Sequence, residues 1–170
     1  MISTMVDRRY LEDECQPSLK DLKRHLRITS GDLDEILSPY LYAAINMAEH
    51  HIGKIIARSE FTYTGRFIRS FDMKGPEEKI SGIEIDGKVL EESDYRLDKR
   101  TIIFNPEIKG EFVVIKYTSG MSQVPFDIQA AVMLSAARLF NNPVDSADTL
   151  PSVSKNLLRP YRTWGLDDGE

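Results

Sequence analysis

The sequence predicts an α+β protein: a mainly helical core with an antiparallel β-meander inserted between its second and third helices. Three observations predict it. Leucine and isoleucine recur at spacings of three and four over residues 17–58, the period of one helix face. From 59 to 120 the chain changes to β-branched and aromatic residues mixed with polar ones and punctuated by turn pairs. After Val124-Pro125 a helical period returns. The expected organisation is therefore an N-terminal arm over 1–16, one domain over 17–162, and an acidic tail over 163–170. Within that domain, 17–58 and 124–162 form the helical core and 59–120 the β insertion.

Residues 1–16 are polar, mixed in charge and aperiodic, and are expected to order only against a neighbouring molecule. Pro17-Ser18 opens a helix whose Leu19, Leu22, Leu26 and Ile28 are apolar, with Lys20, Asp21, Lys23, Arg24 and Arg27 between them. Thr29-Ser30-Gly31-Asp32 is a turn supplying caps for a longer helix. The apolar face of that helix runs through Leu33, Leu37, Leu41, Ala44, Ile45, Ala48, Ile52 and Ile55. Pro39 lies inside it and either kinks the helix or follows a fresh cap at Ser38; because the period continues in phase, one kinked element is expected.

The insertion reads as four to six short strands. Phe61, Tyr63, Phe67, Ile68 and Phe71 are β-prone, and Asp86-Gly87 between Ile83, Ile85 and Val89, Leu90 is the favoured two-residue hairpin pair. Tyr95 and Leu97 lead into the turn Asp98-Lys99-Arg100, and Thr101 to Phe104 returns. The final strand runs from Phe112 to Thr118. The helix over 126–140 is apolar on two sides, with Ile128, Val132 and Leu139 on one and Phe126, Ala130, Met133, Ala137 and Phe140 on another. Such a helix has to be covered on more than one face. A loop over 141–150 precedes a short helix from Pro151-Ser152 that carries Val153, Leu157 and Leu158 and stops near Pro160.

Composition and motifs exclude more chemistry than they suggest. Of the 170 residues 41% are hydrophobic and 29% charged, ordinary for a soluble protein, and no apolar run nears the ~20 residues that cross a bilayer. Asp7, Arg8 and Arg9 without an apolar stretch do not make a signal peptide, so maturation in a cytoplasm is expected, which suits a single cysteine, Cys15. A net charge of -5 argues against wrapping duplex DNA. Gly82-x-x-x-x-Gly87-Lys88 imitates a phosphate loop, but Val89 stands where the magnesium-holding Ser or Thr is needed. His50 and His51 are adjacent on a helix and diverge, and His25 is remote, so no metal set is expected. Cys15 lacks an electropositive pocket in the sequence, no Gly-x-Ser-x-Gly turn occurs, and the pairs Glu91-Glu92 and Asp167-Asp168 fall in a turn and the tail. Neither catalysis nor a cofactor is expected.

The order of segments carries a resemblance. Leu19-x-x-Leu22-Lys23-x-His25-Leu26-Arg27-Ile28 is followed by Asp32-Leu33-Asp34 and a long Ala-containing helix. After the β insertion come Tyr117-Thr118-Ser119-Gly120, Val124-Pro125-x-Asp127-Ile128, an Ala-rich helix, and Leu157-Leu158-Arg159-Pro160-Tyr161-Arg162. Over roughly residues 17–162 this series resembles the head–tail connector family of tailed bacteriophages, the head-completion or DNA-packaging adaptors.

The resemblance implies a non-enzymatic ring of about a dozen copies at the head–tail junction of a virion, assembled in a bacterial host's cytoplasm. Its partners would be further copies of itself, the portal protein, a downstream tail-side or stopper protein, and genomic DNA passing without sequence-specific binding. No membrane is involved. The expected partner or ring interface comprises Phe126, Met133, Phe140, Leu157, Leu158, Tyr161, Arg162 and Trp164, aromatic residues being frequent anchors. Glu77, Glu78, Glu91 and Glu92 are the candidates for a lumen surface that DNA slides past. The rival function is a DNA-binding packaging factor similar to a terminase small subunit, gripping phosphates with Lys20, Lys23, Arg24 and Arg27. A small enzyme with a pocket between subunits is a second rival.

Overall fold

The computed structural model describes residues 4–142 and 150–162, and the chain divides into a helical unit (Asp13–Ile56 and Gln123–Glu170) and a β unit (Met1–Glu12 and Ala57–Ser122). The architecture is α+β, with the strands of residues 59–119 lying in sequence between the second and third helices.

In the helical unit, α1 (Leu19–Leu26) starts from a capping box. The Asp21 N–H donates to the Ser18 hydroxyl at 3.2 Å and the Asp21 carboxylate accepts from the Ser18 N–H at 3.0 Å, satisfying two donors a helix end would leave open. The Ser18 hydroxyl, the Ser18 N–H and Arg24 together hold the Asp21 carboxyl below its ordinary value, against the opposing effect of partial burial. A folded pKa below the unfolded value near 3.8 contributes stability that is present above that value and lost as pH falls through the lower one. Urea unfolding measured from about pH 5 to about pH 2 should therefore show a loss that Asp21→Asn reduces. An equal pH slope in the variant would deny the carboxylate this role.

Helix α2 (Asp34–Ile52) runs unbroken through Pro39, as the phase of its apolar residues implied. Its cap differs from expectation: Leu33 is the N-cap and no side chain caps it, while Thr29 to Asp32 remain in the preceding turn. Leu37, Leu41, Ala44, Ile45, Ala48 and Ile52 are buried. Gly53, at φ 71°, ends the helix in the left-handed conformation that favours glycine. The chain beyond it is irregular, so Ile56 is fully buried in place of Ile55. The buried Glu49 carboxylate accepts the Ile56 N–H at 2.7 Å and anchors this exit.

Helix α3 (Phe126–Asn141) buries Ile128, Ala131, Val132, Ser135 and Ala136. Helix α4 (Ser152–Leu158) is joined to it through hydroxyls: Ser154 donates to the Ala131 carbonyl of α3 at 3.0 Å and lies 3.1 Å from the Ser135 hydroxyl. Satisfying these polar atoms offsets the cost of burying them.

The β unit corrects two expectations. Met5–Tyr10 forms β1 and pairs antiparallel with β2 (Ser59–Arg66), from Met5 opposite Thr64 to Tyr10 opposite Ser59. An arm ordered only by a neighbour is thus replaced by a strand ordered within the chain. The backbone ladder and charged contacts hold it, which an apolar period cannot reveal. The Arg8 guanidinium lies over the Tyr10 and Phe61 rings and donates to the Ser59 hydroxyl at 2.9 Å, while Arg9 meets Glu60 at 2.6 Å.

The second correction concerns the number of strands, because the described residues 59–119 hold seven, in two sheets. They are β2, β3 (Ser70–Asp72), β4 (Lys79–Ile85), β5 (Lys88–Val89), β6 (Tyr95–Asp98), β7 (Thr101–Phe104) and β8 (Phe112–Ser119). One sheet has the order β1-β2-β8-β4-β5 and the other β3-β7-β6, so the first and last strands of the insertion lie side by side. Asp86 and Gly87, at φ 49° and 80°, make the hairpin turn as expected, and Lys99 and Arg100 connect β6 to β7. One extra residue at Ser81 bulges β4 between Ile80 and Gly82. The core is aromatic: Phe61 stacks on Tyr117 at 5.2 Å, and Phe71 from the smaller sheet lies 4.7 Å from Tyr63 and 6.0 Å from Tyr117.

Candidate assembly surface

The side chains that reach solvent on the helical unit define its surface chemistry. Helix α3 leaves Phe126 87% exposed, and Ala130, Met133, Ala137 and Phe140 are half-buried. These five residues have spacings of four, three, four and three, which align them along one side of a helix in the manner of a helix–helix seam. The side bearing Ile128 and Val132 is the buried one, as the two-sided apolar pattern required.

The remaining interface candidates separate. Leu158 is fully buried within the chain's own core. Leu157 and Tyr161 are half-buried, Arg162 is exposed, and Trp164 lies outside the described residues. The Tyr161 hydroxyl donates to the Asp127 carboxylate at 3.4 Å, bringing the end of the α4 segment beside the start of α3. Lys155 and Arg159 are also exposed there. Burial, followed by the positive charge of Arg162 and Lys155, holds His51 below its usual value.

The sequence reading passed over a second stripe on α2. Ile36 is 50% exposed, and Tyr40, Ala43 and Met47 continue from it at spacings of four, three and four on the side away from the buried leucines. Their spacing was available in the sequence, but the stronger Leu37–Ile52 pattern accounted for the same helix. Tyr40 meets Phe140 edge-on at 6.0 Å, placing the start of α2 beside the end of α3. Asp32 and Glu35 are exposed next to Ile36.

The basic residues of α1 are partly neutralised. Lys23, 18% exposed, is paired with Asp34, and Arg24 lies 4.0 Å from Asp21. Lys20 and Arg27 are exposed. This mixed surface offers fewer uncompensated charges to a phosphate backbone than the sequence alone suggested.

Other candidates resolve into structural parts. Gly82 lies in β4 and Gly87 in a hairpin turn, without the strand-to-helix geometry of a phosphate loop. The Glu77 carboxylate accepts the Ser122 N–H at 3.2 Å, and the Ser122 side chain first, then this N–H, hold its carboxyl below the ordinary value. Glu91 starts a short turn with Asp94, whose carboxylate accepts the Glu91 N–H at 2.9 Å. Asp167 and Asp168 lie outside the described residues. Cys15, read from the sequence as part of a polar arm, is buried. Among the described residues no group of three or more His, Cys, Asp or Glu side chains could hold a metal ion, and no helix is long and apolar enough to cross a membrane.

No protein-family model and no curated protein matches the chain. Solved structures share its fold from end to end. A chain in the neck of an empty gene transfer agent (GTA) particle computed with C6 symmetry superposes with a TM-score of 0.71 at 23% identity, covering 97% of this chain and 98% of that one. A chain in the virion of a native GTA particle gives 0.68 at 21% identity, with 97% and 98% covered. One in the neck of a native GTA particle computed with C12 symmetry gives 0.67 at 20% identity, with 99% and 98% covered.

Proposed function

We propose that this chain is a structural, non-enzymatic subunit of a ring at the head–tail junction of a phage-like particle. The observation that carries the proposal is the fold shared along nearly the whole length of both chains with components of GTA necks. Those necks were computed with sixfold and twelvefold symmetry, consistent with a ring of about a dozen copies. Phe126 supports the same reading, because a lone subunit leaves this large apolar side chain 87% exposed.

In this reading the ring docks beneath the portal, extends the DNA channel, and presents a platform to a tail-side or stopper protein. Phe126, Met133, Phe140, Leu157, Tyr161, Arg162 and Trp164 provide contacts to neighbouring copies or to the portal. DNA passes without sequence-specific contacts, which suits a net charge of -5. Assembly takes place in the host cytoplasm.

The test measures mass by light scattering over a range of concentrations, images the particles by negative stain, and sediments the chain with portal rings. Rings, or co-sedimentation with the portal, are the expected result. A chain that remains monomeric at all concentrations and ignores the portal would sink the proposal. Trp164→Ala is expected to impair ring formation or portal binding while leaving the unfolding midpoint in place. Steep, salt-sensitive binding to duplex DNA would instead favour the packaging-factor alternative.

A further inference from the structure

A closed ring of identical subunits needs two different patches on each copy, one to give and one to receive. The helical unit carries two such patches at opposite ends of α3, about 21 Å apart along its axis at ~1.5 Å per residue. At the α3 N-terminus stand Phe126, 87% exposed, and Asp127, whose carboxylate accepts from the Tyr161 hydroxyl, with the basic Lys155, Arg159 and Arg162 on the adjoining α4 segment. At the other end, where Tyr40 meets Phe140, stands Ile36, 50% exposed, flanked by Asp32 and Glu35. Each patch has a large apolar centre; three basic side chains against the one carboxylate of Asp127 border the first, and Asp32 and Glu35 border the second, where Asp34 is already paired with Lys23.

We infer that the Phe126–Arg159 patch of one copy docks onto the Ile36–Glu35 patch of the next, and that this contact closes the ring. The occupant of each patch is thus a second copy of this chain. The inference rests on the ring reading above and adds the surface that reading lacked, the N-terminal turn of α2. Opposite charge sets which patches meet, while burial of Phe126 and Ile36 supplies the attraction. Self-pairing of either patch would bring like charges together, so the arrangement favours head-to-tail contacts over a twofold dimer.

Charge reversal tests the pairing. Glu35→Arg and Arg159→Glu should each raise the concentration needed for half-assembly by about tenfold or more, because each brings like charges together. The double variant, with the pair restored in reverse, should recover most of that loss. Both side chains are exposed, and unchanged circular dichroism and melting of each variant would confirm that folding is intact. As a second measurement, copies bearing Ile36→Cys are mixed with copies bearing Phe126→Cys and oxidised. A disulfide-linked dimer of one of each is the expected product.

Wild-type rings with single variants that assemble normally, or a double variant no better than the singles, would overturn this pairing and leave the ring reading standing. Preferential crosslinking of Phe126→Cys copies to one another would overturn it in favour of a twofold contact. Absence of any wild-type ring, alone or on the portal, would overturn both.

Discussion

Truncating Leu158 to alanine is expected to lower folding stability by about 2–5 kcal/mol, the range for removing a large aliphatic side chain from a packed core. Leu158 is fully buried, at the end of a helix whose Ser154 hydroxyl donates to the Ala131 carbonyl of α3. The lost contacts and the cavity left behind both contribute, and neither depends on a partner. Urea unfolding of the monomer measures the change. A loss under about 1 kcal/mol together with impaired assembly would instead assign Leu158 to an interface. Leu157, its half-buried neighbour, should show the smaller folding penalty.

Gly120→Ala is expected to cost about 1–3 kcal/mol from the backbone alone, because Gly120 has φ 127°, a conformation almost confined to glycine. An added Cβ would also sit 2.6 Å from the Ala57 carbonyl oxygen, which is backbone and cannot turn away. The site is closely tied: the Gly120 N–H donates to the Pro76 carbonyl at 3.0 Å, and its own carbonyl accepts from Arg58 at 3.1 Å. The Ser119 hydroxyl donates to the same Pro76 carbonyl at 2.7 Å. Thermal melting should drop by several degrees, whereas Gly82→Ala, with nothing within 4 Å of the added carbon, should change little. Equal melting temperatures for the two variants would refute the assignment. The Ser119-Gly120 part of the motif quoted from the sequence is therefore explained by geometry: a corner only glycine can turn.

Much of the helical architecture was legible in the sequence because it follows from periodicity. The Leu37–Ile52 spacing identified α2 through Pro39, and the two-sided pattern of α3 correctly implied a buried side and a second apolar side. The Asp86-Gly87 turn was legible because few dipeptides accept positive φ at both positions. Strand β1 was not, since an edge strand held by Arg8, Arg9 and its ladder has no apolar alternation. The division into two sheets was hidden because strand partners are set by contacts far apart in the chain, such as Phe61 with Tyr117 and Phe71 with Tyr63.

The candidate surface divides in the same way. Phe126, Met133 and Phe140 were identifiable as a side of α3 without structural information, but Leu157 and Leu158, adjacent and equally apolar, were indistinguishable until their burial was known. Ile36 was masked by the stronger pattern of its own helix, and the neutralisation of Lys23 depends on Asp34, which lies in another element.

By itself the sequence determined the class of fold, the order of the helices with a β insertion between the second and third, the absence of recognisable catalytic motifs and the apolar side of α3. Each of these depends on local spacing or on the conformational limits of single residues. Only the tertiary structure decided how the strands pair, which leucine is core, and that exposed Phe126 and Ile36 stand near the two ends of one helix. Exposure and proximity arise from packing between distant segments, which no local pattern encodes.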